Sequence, residues 1–319
     1  MLRPNLREPT FDTVAAPQLA QSWSDSQAQL VRIREALQGV LPPFTACAAV
    51  SGSLARMEAH AGSDIDLLIV IDDRTTYVSD QQAKAVFSDA WDRLDALGAT
   101  RPKPGGIFSL CARWKDLVDP SARGRIDESI TVFGHRIQLL MDAQPVESDE
   151  SFIALQRDIL EWYSETRVAK LFDEPGPFHW LWQDAQRYWR SLRARTSWLY
   201  ADDPVMSLTL NTKLRSSRML LVFAFLQTIE AAQRESADIH RTIQSAVDQL
   251  YLTPAERIFA DGRQVSHWNS VWEFIRNQPE AAATTIPPSV QQSLQAMSGW
   301  IQSDVVGRSD GAKGTHWTI

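Results

Sequence analysis

The chain has 319 residues, of which 44% are hydrophobic and 22% charged, and a formal net charge of −7. This is the composition of an ordinary soluble globular protein, long enough for two domains and an ample core. The acidic total argues against non-specific binding to a nucleic-acid backbone, so nucleic acid is not favoured as a partner, although a local basic patch stays open.

Residues 1–22 carry Arg3, Pro4, Arg7, Pro9 and Pro17 without a helical period and read as an extended arm. Residues 1–21 hold no continuous apolar core of signal-peptide type, and no segment is long and apolar enough to span a bilayer. Cys47 and Cys111 are the only cysteines, too few for a disulfide framework. Buried thiols in a reducing cytoplasm are expected. Residues 27–40 predict a helix with Leu30, Ile33 and Leu37 on one face, ended by Pro42-Pro43. Residues 45–50 read as a short apolar strand, Gly52-Ser53 as a tight turn into a helical turn, and residues 64–71 as a second strand. From Leu67 that strand is apolar without a break, as expected when both faces are buried.

A helix over 80–97 is closed by Gly98. Residues 101–106 form a loop, and 107–112 are a candidate third strand. The segment 129–143 suits a helix through Ile130, Phe133, Ile137 and Leu140, while its dense 137–141 run also suits a strand; helix is preferred, with Pro145 as its end. From Asp149 onward strand signals vanish. Helices are predicted over 151–172, 178–200, 206–233, 237–252, 255–259, 266–277 and 290–303. Breaks are expected at Pro175-Gly176-Pro177 and around Pro279 and Pro287-Pro288, and 303–319 is a polar tail that frays. The fold class is α+β, a small mixed sheet with flanking helices followed by an all-α domain. The expected divisions are an arm over 1–22, a catalytic domain over 23–148, a helical domain over 149–303 and a tail over 304–319.

The chemistry concentrates between residues 50 and 71. Alternate side chains of a strand share a face, which places Asp64 and Asp66 side by side. Two adjacent carboxylates repel unless a cation lies between them, and an all-oxygen site that also receives substrate phosphates suits Mg2+. Acids at the mouth of a buried strand are costly, which points to a site. Gly52 permits close backbone approach to a ligand, and Ser53 offers its amide and hydroxyl to a phosphate at a helix start. Together these suggest chemistry on a nucleoside triphosphate.

Gly52-Ser53, a spacer of ten residues and Asp64-Ile65-Asp66 resemble the signature of the DNA polymerase beta-type nucleotidyltransferase superfamily. The fuller string, Gly-Ser-Leu-Ala-Arg-Met-Glu and then Gly-Ser-Asp-Ile-Asp-Leu, is most similar to the bacterial protein uridylyltransferase-like branch. The resemblance covers about the first half of the chain. It implies a nucleotidyltransferase-type sheet and transfer of a nucleoside monophosphate from a triphosphate to a hydroxyl on a protein side chain, a small molecule such as an aminoglycoside, or an RNA end. It also implies Mg2+ (Mn2+ in its place) held by Asp64 and Asp66, a triphosphate held by Ser53, and a third carboxylate on a neighbouring strand. The 106–111 segment has no acid, which leaves Asp116, Asp119, Asp127, Glu128 and Asp142. Asp142 serves if its segment is a strand and is a helix-end residue if it is not; Asp142-Ala143-Gln144-Pro145 resembles a short motif that follows the core in that branch.

Other groups carry two readings each. Arg56 reaches a phosphate or pairs with Glu58. His60 is a loop histidine, and no histidine spacing suggests zinc. Lys213, Arg215 and Arg218 open an apolar helix, and Arg187, Arg190 and Arg193 lie three residues apart on another. Such a cationic face either receives the β- and γ-phosphates or is solvated and ion-paired. Trp180, Trp182, Trp189 and Trp198 are a stacking platform or, as preferred, packing residues. Two rival functions stand beside the enzyme: a nucleotide-binding module without turnover, and an interaction protein of toxin–antitoxin type.

Overall fold

The structure, a computed structural model, describes residues 6–60, 63–165, 177–258 and 265–301. The chain order begins with α1 (Pro17–Leu37), β1 (Thr45–Ser51), α2 (Gly52–Ala55), β2 (Asp66–Ile71) and α3 (Asp80–Asp95). It continues with β3 (Ala112–Arg113), α4 (Trp114–Leu117), α5 (Ile130–Met141), β4 (Ala143–Glu147) and α6 (Asp149–Ser164). The second half is helical: α7 (His179–Leu199), α8 (Pro204–Lys213), a π turn (Leu214–Arg218), α9 (Met219–Glu235), α10 (Ile239–Gln249), α11 (Pro254–Ile258), α12 (Val265–Ala281) and α13 (Pro288–Ile301). The α+β class is as the sequence indicates. No helix among the described residues is long and apolar enough to cross a membrane.

The sheet order is β3-β2-β1-β4, with β1 antiparallel to both β2 and β4, and β2 parallel to β3. Alternation along β1 and β2 divides the core. Val50, Leu67 and Ile69 face α1, α3, α12 and α13, through residues such as Trp23, Ile33, Leu94, Trp268 and Met297. Ala49, Leu68 and Val70 face α5, α6 and α9, through Ile137, Leu140, Ile159 and Phe225. Helix α9 contributes to both cores, with Leu220 and Phe223 in the first and Val222 and Leu226 in the second. A helix apolar on all sides belongs inside, and α9 ties the sheet to the helical half.

Several local expectations change. Helix α1 starts ten residues earlier than expected, with proline at its first turn, where the missing N–H costs nothing. Its buried stripe, Leu19, Trp23, Ser26, Leu30, Ile33 and Leu37, includes serines that hide the period. Only residues ahead of Pro17 form an arm, and it is pinned: Trp23 Nε1 and Gln27 Nε2 both donate to the Arg7 carbonyl, and Phe11 meets Trp23 edge-on. The predicted third strand is a 3-10 turn over Ile107–Ser109, which Ser109 closes onto the Gly106 carbonyl, and pairing survives only at Ala112 and Arg113. The segment 129–143 is helical as preferred, but β4 follows at once. Pro145 sits inside β4, tolerated because β4 is the sheet edge.

The predicted 206–233 helix is interrupted by the π turn, where Ser216 Oγ donates back to the Thr212 carbonyl at 2.6 Å. The tail over 303–319, the Pro175-Gly176 break, Phe259 and residues 166–172 lie outside the described residues.

The arm is closed by an ion pair. Glu256, fully buried, accepts from Arg7 (Nη2 to Oε2, 2.9 Å) and from the backbone and hydroxyl of Thr10 and Thr253. Removing one partner of a buried pair strands the other charge, so Arg7→Ala should cost about 3 kcal/mol of unfolding free energy, measured by denaturant titration. Arg34→Ala, which gives up only a bond from Nε to the Val146 carbonyl, should cost about 1 kcal/mol in the same assay.

Candidate functional site

One end of the sheet gathers the acids. Strand β1 finishes at Ser51, which pairs with Asp66 on one side and Ala143 on the other. Asp66 therefore opens β2, and Asp142 immediately precedes β4. The strand expected from Asp64 begins instead at Asp66, because β1 turns away at Gly52 and leaves earlier residues no ladder partner. Asp64 lies just ahead of the strand and is exposed.

Gly52 has φ +75°, and a Cβ there would stand 2.8 Å from Asp66 Oδ2. Glycine is required twice over, for the left-handed backbone and for the carboxylate packed against it. Ser53 follows, half-buried, in the single turn of α2. The turn closes at Met57, a non-glycine at φ +59°, which costs roughly 1–2 kcal/mol and brings Glu58 back toward Arg56.

Arg56 is the hub. Its Nη1 donates to both oxygens of Asp142, at 2.9 and 2.7 Å, and its Nε donates to Glu58 Oε2 at 2.8 Å and Ser217 Oγ at 3.1 Å. Ser217 Oγ in turn donates to Glu58 Oε2 at 2.6 Å. Burial opposes the charge on Arg56, but Asp142 and Glu58 outweigh it and raise its pKa. The sequence left Arg56 with two roles; the structure pairs it with Glu58 and adds Asp142. Beside this cluster, Ser51 Oγ donates to Gln138 Oε1 at 2.6 Å, and Gln144 Nε2 donates to the Ala55 carbonyl, which fixes the α5–β4 corner against α2.

Burial pushes the Asp66 carboxyl up to about 6, and the charges of Asp142 and Asp64 add to it, against Arg56 and Arg218. Burial likewise lifts Asp142 to about 6 against the pull of Arg56. Asp142 has its partner; Asp66 accepts no hydrogen bond among the described residues. Of the three predicted cations, Lys213 and Arg218 face this edge. Burial, then repulsion from Arg218 and Arg56, lowers Lys213, and burial with repulsion from Arg56 lowers Arg218 against the pull of Tyr188 and Asp142. Arg215 is exposed and reaches Gln291, away from the acids. The π turn brings Lys213, Ser217 and Arg218 to one side.

Arg187 lies over Phe133 at 4.1 Å, near Glu128, while Arg190 and Arg193 are exposed. Trp182 and Trp189 pack on the core as preferred, whereas Trp180 and Trp198 are exposed. Asp116, Asp119, Asp127 and Glu128 lie away from this edge, around α4 and the start of α5. A cavity of about 530 Å³ also opens there, lined by Phe87, Cys111, Val132 and His135, at the other end of α5 from Asp142.

Sequence reading missed Ser217 and Tyr188. Burial and then Asp142 raise the Tyr188 hydroxyl to about 12, with Asp66 adding and Arg218 and Arg56 opposing. A single tyrosine within an Arg- and Trp-rich helix carries no local signal of this placement.

Among the described residues no three His, Cys, Asp or Glu side chains converge as a ready metal cage. The donors nonetheless fit Mg2+, which commonly takes one or two carboxylates and completes its shell with water and phosphate. Asp66, half-buried, unpartnered and disfavoured as an anion, is the oxygen donor such a site needs, with Asp64 beside it.

Asp66 and Asp142 differ in having a partner, and amidation should separate them. The raised folded pKa of Asp66 means its stabilising contribution is full below about pH 4 and lost as pH rises through about 6. In chelator, Asp66→Asn should therefore raise stability above pH 7 by about 1–3 kcal/mol, and the gain should vanish below about pH 4. Asp142→Asn weakens the hold on Arg56, which keeps Glu58, and relief of a carboxylate that burial disfavours offsets part of the loss, so it should lose about 1 kcal/mol at pH 7.5. Thermal melts of both variants across pH 4–8 check this.

Residues 6–119 match the family model described as "Putative nucleotidyltransferase DUF294". The match holds Gly52, Ser53, Arg56, Asp64 and Asp66 and ends before Asp142, Tyr188 and Lys213. No curated protein and no solved structure matches the chain. From the arm through α4, the chain is thus similar to a nucleotidyltransferase-type family.

Proposed function

We propose that the protein is a metal-dependent nucleotidyltransferase that moves a nucleoside monophosphate from a nucleoside triphosphate to a hydroxyl acceptor. The observation that carries this reading is the sheet edge itself. An unpartnered aspartate packs against a glycine that can be nothing else, with a second aspartate beside it and two cations opposite. In this reading 23–148 supplies the carboxylates and 149–303 supplies the cations.

A divalent ion held by Asp64 and Asp66 would neutralise phosphate charge and acidify the attacking hydroxyl. Gly52 leaves room for the triphosphate, and Ser53 donates to it. Lys213 and Arg218 balance the charge of the β- and γ-phosphates, which is greatest as pyrophosphate leaves. The acceptor oxygen bonds to the α-phosphorus while the bond from that phosphorus to the pyrophosphate oxygen breaks, and the hydroxyl proton passes to Asp142. Arg56 acts through Asp142, holding its carboxylate ionised and oriented, and does not touch the phosphates.

One observation favours a second reading. The bidentate hold of Arg56 on Asp142 suits a module that binds nucleotide without turning it over. Labelled triphosphate with Mg2+ or Mn2+ and candidate acceptors separates the two. Turnover that falls at least about 100-fold in Asp64→Asn/Asp66→Asn and stops in chelator supports the enzyme. Nucleotide binding by the unaltered protein with no product from any acceptor supports the module. If turnover is found, Lys213→Ala should raise the nucleotide KM several-fold with little change in kcat, and unchanged kinetics would remove Lys213 from the site. Full activity in Asp142→Asn would remove Asp142 as the proton acceptor.

A further inference from the structure

Helix α7 presents a surface that the proposed reaction does not use. Arg190, Arg193 and Arg195 are exposed, and their side chains have no ion pair or hydrogen bond among the described residues. No acid occurs between Asp184 and Asp202, although the chain as a whole carries −7. Trp198 is 85% exposed and Leu199 56%, in contrast to Trp182 and Trp189 on the inner face. At 3.6 residues per turn, Arg187, Arg190 and Trp198 share the outer side of the helix, with Arg193 on one flank of it and Arg195 on the other.

The neighbouring flank, with Tyr188 and Arg195 two turns apart, runs to the acidic edge. Tyr188 is within electrostatic reach of Asp142 and Asp66, and Arg195 of Arg218. That flank of α7 therefore lies toward the candidate site.

Arginines left unpaired in an acidic protein call for a polyanion. An indole left almost wholly in water calls for an apolar face to cover it. Single-stranded nucleic acid supplies both at once, phosphates for guanidinium groups and bases that stack on tryptophan. An acidic polypeptide supplies charge without the flat face.

We propose that α7 is a docking surface for single-stranded RNA, draped across its outer side from Arg193 and Arg190 to Arg195 on the opposite flank, with a base on Trp198. The strand's terminal hydroxyl then serves as the acceptor, a clause that rests on the transfer reaction proposed above. The overall negative charge is no obstacle, because the three arginines surround the outer side of one helix that carries no acid between Asp184 and Asp202.

The test uses the full chain and a fluorescein-labelled twelve-nucleotide RNA of mixed sequence, read by anisotropy. The expected result is binding that weakens as salt rises, with a log–log slope near −2 for about three phosphate contacts. Arg190→Gln/Arg193→Gln should weaken binding about ten-fold and flatten the slope by about 1.4. Trp198→Ala should weaken it about ten-fold and abolish the quenching of tryptophan fluorescence by RNA. All three positions are exposed, and circular dichroism confirms that the variants fold.

No binding at 50 mM salt, equal affinity in all variants, or equally effective competition by polyglutamate of the same charge would overturn the proposal. Incorporation of labelled nucleotide into the same RNA is scored separately. RNA binding without transfer to any acceptor leaves the docking surface standing and removes the transfer reading. Transfer to another acceptor without RNA binding does the reverse.

Discussion

A single buried guanidinium holds the candidate site together. Arg56 joins three segments far apart in the chain: its own turn after β1, the start of β4 through Asp142, and the π turn through Ser217. Two carboxylates meet one guanidinium there, so the cluster is negative by itself. Lys213 and Arg218, from the helical half, offset that excess and the charge of Asp66. Neither half of the chain is electrically complete at this edge without the other. The two hydrophobic cores repeat the arrangement in apolar terms, since each draws residues from the sheet and from α9.

Asp66 is the exception to this mutual satisfaction. Two other acids, Asp142 and Asp64, stand near it as well as Arg56 and Arg218, and the backbone of Gly52 packs against its carboxylate. Folded proteins rarely keep a carboxylate in such surroundings without use for it. The same edge holds Met57 in the left-handed region. Local strain and an unsatisfied charge lie within one short stretch, with the rest of the fold supplying the stability that tolerates them.

Much of this edge was legible because it is local. Gly52, Ser53, Asp64 and Asp66 lie within fifteen residues, and the apolar run after Asp66 marks a buried strand by itself. The parts that were not legible depend on distant partners. Arg56 and Asp142 are 86 positions apart, and Glu58 and Ser217 are 159 apart. Neither pair leaves a pattern in its own neighbourhood. The start of α1 was hidden by buried serines, and β4 by a proline that only an edge strand accommodates. Trp198 shares its helix with Trp182 and Trp189, and nothing in the spacing alone separates the indole in water from those in the core.

The π turn between α8 and α9 has an effect on bookkeeping along the helix. Its wider loop contains one residue more than a regular turn would, so every side chain after it is rotated by about 100° relative to an unbroken α-helix. A related chain lacking that one residue would keep α9 and its two apolar faces only by turning Arg218 out of line with Lys213. Pairwise alignment through this region must therefore open a single-residue gap, and placing the gap a few positions away would equate a charge at the sheet edge with one in solvent.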